Sequence, residues 1–335
     1  MIRLVCRRAA KSFGLAGLLV AGILGSVLAA PPPDRVVRIG FISSAMPNDW
    51  DTALDAVTDG LRDLGYIEGK NFVLMRRRVR FPDAPIRANV DELLAMNLDV
   101  LITGCGWGTS TAIKATNKTP IVMVSASDPV SRGWIHSIAR PGANVTGVSG
   151  MQSTLPAKML DHLRLTLPDA KAVGITLNAR TEAHRGYFQD VEAVAAVFGI
   201  KLVPIDLNPL RTVPQTRDAL RQAGVQALMM VPDDDLFWLS MDRIIEASEE
   251  LRLPMTFFRS DFLEPSGLLS YGPRPHALFS RTAAYVDKIV NGARPAELPI
   301  EQPTQFEFAI NLKKAAAYGI TIPRSVLLRA DRVIK

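Results

Sequence analysis

From Val36 onward the chain alternates short apolar runs with amphipathic segments, and it does so twice. VVRIGFIS, ending at Ser43, reads as a buried strand. DTALDAVTDGLRDLG follows with apolar positions at helical spacing and Gly65 as a stop. NFVLMRR, DVLITG and PIVMVSA repeat the strand pattern, with PIRANVDELLAMN and TSTAIKATN as the helices between them. The pattern then restarts. STLPAKMLDHLRLTLP, AHRGYFQDVEAVAAVFG, VPQTRDALRQAG and DLFWLSMDRIIEASEEL are helical. AVGITLN, KLVPIDL, VQALMMVP, PMTFF and GLLSYG are strands. HALFSRTAAYVDKIVNG adds a helix, and QFEFAINL a final strand before a short basic tail. Strands separated by helices must run parallel with helical crossovers, so this alternation predicts two α/β halves, each a doubly wound parallel-sheet layer. A chain of 335 residues, 48% of them hydrophobic, is long enough for two ordinary cores.

The first 29 residues stand outside that pattern. Arg3, Arg7, Arg8 and Lys11 precede an uncharged run from Phe13 to Ala29, and Val27 and Ala29 meet the small-residue cleavage rule. The segment reads as a secretory signal peptide cleaved after Ala29, with an uncleaved membrane anchor as the alternative. The formal net charge is +6; without the four basic residues of the leader it is +2, which gives no reason to propose nucleic-acid binding. RRRVR, Arg76 to Arg80, is a local exception, either a solvated strand edge or a patch for an anion or partner. Cys6 leaves with the leader, so Cys105 stands alone and no internal disulfide forms.

Enzyme signatures fail on inspection. GCGWGTS has Thr109 where a dinucleotide fingerprint needs a third glycine or alanine. No phosphate-binding loop is present. His136, His162, His184 and His276 have no metal-ligand partner at useful spacing, so neither metal nor cofactor is expected. GVSG is not a nucleophile elbow, and no histidine can be paired with Cys105, which either lines a cleft or packs.

In sheets of this kind ligands sit beyond the carboxyl ends of the strands. In the first half those ends are Ser43-Ser44, Gly104 to Trp107, and Ser125-Ala126-Ser127-Asp128. In the second they are Asn178, Asp233 to Asp235, Arg259-Ser260-Asp261 and Tyr271. Trp107 and Tyr271 are either core or ligand platforms. Asp128, before Pro129, either initiates a turn or contacts ligand. The three aspartates include a helix cap, and another could face a ligand ammonium.

GLRDLGYIEGKN, TPIVMVSASDPVSRGWIHSIARPGANVTGVSG, RLPMTFFRSDF with GLLSYG, and the carboxyl-terminal block from AAYVDKIVNG to LLRADRVI together resemble the bacterial ABC transporter substrate-binding proteins. The likeness is to the type I periplasmic-binding-protein superfamily, and within it to the tryptophan- and tyrosine-uptake branch. It covers nearly the whole mature chain. Departures fall at GCGWG, at Leu177-Asn178-Ala179 and at RRRVRFPD.

The resemblance implies two lobes joined by crossover hinge strands: residues 34–149 plus about 273–298, and 150–272 plus about 299–335. It implies a periplasmic monomer that closes on a small solute, an amino acid or related carboxylate and possibly aromatic, and delivers it to an ABC permease in the inner membrane. Ser43 and Ser44 would line the cleft. Gly106, Trp107 and Thr109, with Ser125, Ser127 and Asp128, would hold a carboxylate and orient the ligand. Asn178, Tyr187, Asp233 and Arg259 would close from the second lobe. Trp134 to Ala139 would form a short helix, and Pro141 to Gly150 a turn and strand entering the first crossover. A sensor that presents its closed form to a membrane receptor, or an exported enzyme, are the alternatives.

Overall fold

The computed structural model describes residues 35–43, 47–79, 86–126, 129–150, 155–180, 182–231, 235–264 and 266–335. The expected leader lies outside them. The first layer holds β1 (Val37–Ser43), α1 (Pro47–Asp63), β2 (Phe72–Arg78), α2 (Ile86–Ala95), β3 (Val100–Thr103), α3 (Gly106–Ala115), β4 (Ile121–Ala126) and β5 (Val145–Ser149). The second holds α4 (Leu155–Thr166), β6 (Ala172–Leu177), α5 (Glu182–Val197), β7 (Lys201–Asp206), α6 (Val213–Ala223), β8 (Ala227–Met230), α7 (Asp235–Glu250), β9 (Met255–Phe257) and β10 (Leu269–Pro273). The chain continues through α8 (Pro275–Val290), β11 (Phe306–Asn311), α9 (Leu312–Tyr318), α10 (Arg324–Leu327) and β12 (Arg332–Ile334).

The first sheet runs β2-β1-β3-β4-β5, parallel throughout. Every residue of β3 and β5 is buried, as a parallel strand covered on both faces must be. Ile39, Phe41, Ile102 and Val124 pack on one face with α1 and α8; Ile42, Leu101 and Met123 pack on the other with α2 and α3. Gly60 sets the distance between α1 and α8. A Cβ there would lie 2.6 Å from the Ser280 carbonyl oxygen and 2.9 Å from the Ala283 Cβ.

The second sheet runs β12-β11-β10-β9-β8-β6-β7. All its pairs are parallel except β10–β11, which departs from the all-parallel expectation. The cause is the route of the chain. It leaves at Pro273, builds α8 on the first layer, and comes back beside its exit, where Arg274 N–H donates to the Gln305 carbonyl (3.1 Å) and Pro273 faces Phe306. A segment that re-enters a sheet where it left can only run back against its neighbour. Chain crossings after β5, after β10 and before β11 thus join two α/β lobes.

Four local expectations are corrected. Residues 134–139 form no helix. Gly133, at φ +68°, turns the chain so that the Trp134 N–H returns to the Pro129 carbonyl (3.0 Å), and the Ser137 hydroxyl takes up the backbone of Arg140. α3 starts at Gly106, ahead of Thr109, because Cys105 caps it: its Sγ accepts from the Gly108 N–H at 3.3 Å. α1 begins at Pro47, a residue suited to a first helical position. The basic tail contains β12, which pairs parallel with β11.

Candidate binding site

Lobe 1 presents its polar groups at the carboxyl ends of β1, β3 and β4. Ser43 ends β1 with 1% of its surface exposed, and its Oγ has no hydrogen-bond partner among the described residues. Gly104 leaves room for it. A Cβ on Gly104 would stand 2.5 Å from that Oγ. The chain then turns into α3, whose amino-terminal end carries partial positive charge. Trp134 closes in from the turn after Pro129, with its ring edge 3.7 Å from where a Cβ on Gly106 would sit. Arg132 lies over that ring at 5.1 Å. Trp107 is half-buried and packs in the same cluster as Trp134. At the end of β4 the pairing with β5 skips from Val124 to Ala126, so Ser125 is the extra residue of a bulge, a device that re-aims a strand end.

Thr109 is a correction. It is fully buried, its hydroxyl 2.9 Å from the Cys105 carbonyl and 2.7 Å from the Thr103 hydroxyl. It braces the turn from beneath and offers nothing to a ligand. Cys105 is buried and serves as the helix cap.

Lobe 2 gathers a second polar set at the ends of β6 and β7. The Asn178 Oδ1 accepts from the Arg180 N–H (3.1 Å) and from the Asn208 side-chain amide (2.7 Å). The Asp206 carboxylate accepts from the same amide (2.7 Å) and from the Ala179 N–H (3.1 Å). His184 is buried, and its Nδ1 accepts from the Asn178 N–H at 2.8 Å. Tyr187 tilts against His184 and donates to the Thr176 carbonyl at 3.3 Å. These contacts fix the strand ends before any ligand arrives.

Arg259 is 3% exposed, paired with Asp261 two residues on, and laid on the face of Phe262 at 5.1 Å. Its charge is matched within its own turn. Tyr271 is a second correction. It sits mid-strand in β10, its ring stacked on His162 at 4.5 Å and on Phe306 at 5.8 Å, so it packs lobe 2. Burial raises its phenol pKa and lowers that of His162. Ser44, Ser127, Asp128 and Asp233 lie outside the described residues, and of Ser125 only the backbone is described.

The arginine run resolves into separate contacts. Arg76 makes a double hydrogen bond to Glu68, Arg77 reaches Glu92 at 3.1 Å, and Arg78 lies over Trp50 at 5.9 Å. Arg80 lies outside the described residues.

Trp134 and the Asp206–Asn208 pair stand at these strand ends without being among the residues the sequence reading names. Asp206-Leu207-Asn208 closes a strand, so the strand-end rule would have found it had it been applied to β7. Trp134 lies in a stretch whose sequence reads as a short helix, away from any strand end. Among the described residues no cluster of acidic, histidine or cysteine side chains can hold a metal, and no helix is long and apolar enough to cross a membrane.

Two α/β lobes linked by chain crossings, with polar groups fixed at their strand ends, make the framework of a two-lobed solute-binding protein. The model of the ABC transporter substrate binding protein family matches residues 44–334, and the chain belongs to that family. A Clostridioides difficile relative named Tyrosine-binding protein is 22% identical over 317 residues, covering 90% of this chain and 91% of its own. The fold is shared with a Streptococcus pneumonia ABC domain solved in complex with L-Trp (TM-score 0.77, 21% identity, 89% of this chain and 99% of that one). It is shared as well with a conserved domain protein of Vibrio cholerae (TM-score 0.76, 23% identity, 89% and 99%). The family's proteins bind substrates for ABC transporters, which implies a permease as partner.

Proposed function

We propose that the protein captures an amino acid, with an aromatic one favoured, between its lobes and passes it to an ABC permease without any covalent step. One observation carries the reading. A buried Ser43 hydroxyl, with no hydrogen-bond partner among the described residues, stands at the carboxyl end of a parallel sheet, against the Gly104 turn that leads into α3. That arrangement suits a carboxylate. Trp134 and Trp107 next to it supply apolar, aromatic wall for a side chain. The names of the tyrosine-binding relative and of the L-Trp complex support the same solute class.

In this reading Ser43, Ser44, Gly106, Trp107, Ser125, Ser127 and Asp128 serve from lobe 1, and Asn178, Tyr187, Asp233 and Arg259 from lobe 2. The hinge lies at the chain crossings, with residues 34–149 plus about 273–298 moving against 150–272 plus about 299–335. Closure is favoured only by the solute's preference for the closed form. The protein works as a monomer in the periplasm after cleavage near Ala29.

A thermal-shift screen tests the reading on protein unfolded and refolded to strip carried-over ligand. The panel is amino acids, aromatic acids, purines and sugars. A solute at 100 times its Kd adds about 2.7 kcal/mol of stability. Tyrosine or tryptophan is the expected stabiliser. A response to sugars or purines alone overturns the solute class.

A further inference from the structure

A second cavity lies at the chain crossings. Its volume is about 390 Å³, within the range of small-molecule sites. The first two turns of α8 form one wall, through Arg274, Ala277 and Arg281. The returning segment 301–305 forms the other, and Val148, Leu278 and Pro303 give it an apolar lining. α8 packs on lobe 1, whereas 301–305 leads into β11 of lobe 2. An occupant would therefore touch elements of both lobes.

The two arginines of the cavity differ in how firmly they are paired. Arg281 and Glu301 neutralise each other through two parallel hydrogen bonds of 2.7 Å, and Arg281 holds the Glu301 carboxyl below the usual range. Arg274 is different. Its guanidinium makes no hydrogen bond among the described residues and comes no nearer to a carboxylate than 3.8 Å, at Asp331, whose other oxygen is already held by the Phe308 N–H. Arg274 also occupies the cap position of α8, where it supplies no acceptor, so the His276 and Ala277 amides add to the field. Across the cavity, the exposed Gln302 and Thr304 make no backbone hydrogen bond through their amides among the described residues. The Arg274 guanidinium and the start of α8 thus line a cavity that also carries Val148, Leu278 and Pro303, and a fork-shaped guanidinium suits a planar carboxylate.

We propose that this crossing cavity is a second ligand site, separate from the strand ends, which takes a small organic carboxylate. The carboxylate engages Arg274 and the Ala277 amide, and its apolar body rests on Val148, Leu278 and Pro303.

The test is an NMR titration of the protein with isobutyrate, following the Ala277 amide and the Arg274 Nε. Isobutyramide and inorganic phosphate serve as controls. Saturable shifts with isobutyrate, absent with isobutyramide and at least ten-fold weaker in Arg274→Gln, are expected. Ala277→Leu, which fills the cavity from a helical position, gives the same loss without removing the charge. Ser43→Ala keeps the binding. No saturable shift, or equal binding in Arg274→Gln, overturns the site. Loss of the shifts in Ser43→Ala would place the carboxylate at the strand ends and also overturns it. Phosphate binding as tight as isobutyrate removes the role of the apolar lining and overturns the ligand class.

Discussion

Replacing Ser43 with alanine should make the unliganded protein more stable and the liganded one weaker. The Ser43 Oγ is buried without a partner among the described residues, and a hydroxyl in that state costs about 1–3 kcal/mol of desolvation. Removing one oxygen leaves a void of order 10 Å³, worth roughly 0.2–0.4 kcal/mol at about 24 cal/mol per Å³. The balance favours the variant by about 1 kcal/mol or more, a rise in Tm of about 1.5 °C per kcal/mol for a chain of 335 residues. If the hydroxyl serves a carboxylate, the variant also loses a charge-assisted hydrogen bond of about 1.5–3 kcal/mol, or at least ten-fold in Kd. Melting curves with and without the stabilising solute read both effects. A further cycle isolates the cause. Gly104→Ala puts a methyl 2.5 Å from that oxygen and 2.7 Å from the Ser43 Cβ, so the Ser43→Ala background should relieve only the part of its cost that comes from the oxygen. A Ser43→Ala protein that melts below wild type and binds unchanged would refute the reasoning, since the hydroxyl would then be bonded in the unliganded state and idle in the complex.

Thr109→Val should cost about 1–3 kcal/mol, because it strands the buried Thr103 hydroxyl, whereas Thr109→Ser should cost less; chemical denaturation separates them. Gly60→Ala gains about 1 kcal/mol of helix propensity but drives a methyl into the Ser280 carbonyl, so denaturation should show a net loss of about 1–2 kcal/mol. His162, stacked between Tyr271 and Phe308 with its Nδ1 unpartnered, has a folded pKa lowered by burial. The unfolded chain then binds the proton first, and stability should fall as pH drops from about 6.5 toward the folded value. Asp161, Lys158, Arg329 and Asp331 face the ring as well, so the diagnostic measurement is the flattening of that slope in His162→Phe.

The alternation of strand and helix was legible because strands such as β3, β5 and β8 are buried from end to end, and their apolar runs admit no other placement. Boundaries were less so. Cys105 caps α3 with sulfur, an atom outside the usual capping set, so the helix was expected several residues late. β12 has three residues and no pattern of its own, since pairing with β11 is what makes it a strand. Residues 134–139 carry a helix-like mixture of apolar and polar side chains, yet Gly133 and the Pro129 carbonyl redirect the backbone through contacts a window of sequence does not contain. The strand-end rule points to Ser43, Gly106 and Asn178, which end β1, open α3 and follow β6. At Tyr271 the strand runs on by two residues, and Thr109, which the resemblance rather than that rule supplied, turns its hydroxyl toward Cys105 and Thr103.

The position of α8 bears on how the chain reaches this state. Phe279, Ala283 and Val286 complete the packing around Phe41 and Val57, while Phe308 and Ile310 complete the packing of lobe 2. Both sets come from sequence beyond Pro275, so neither core can close during synthesis until the carboxyl-terminal stretch has emerged. Long loops must be drawn shut before those contacts reward the closure, which makes folding late and slow relative to a chain of two consecutive domains. For the same reason a truncation at Pro275 would not leave one intact lobe behind; it would open both cores at once.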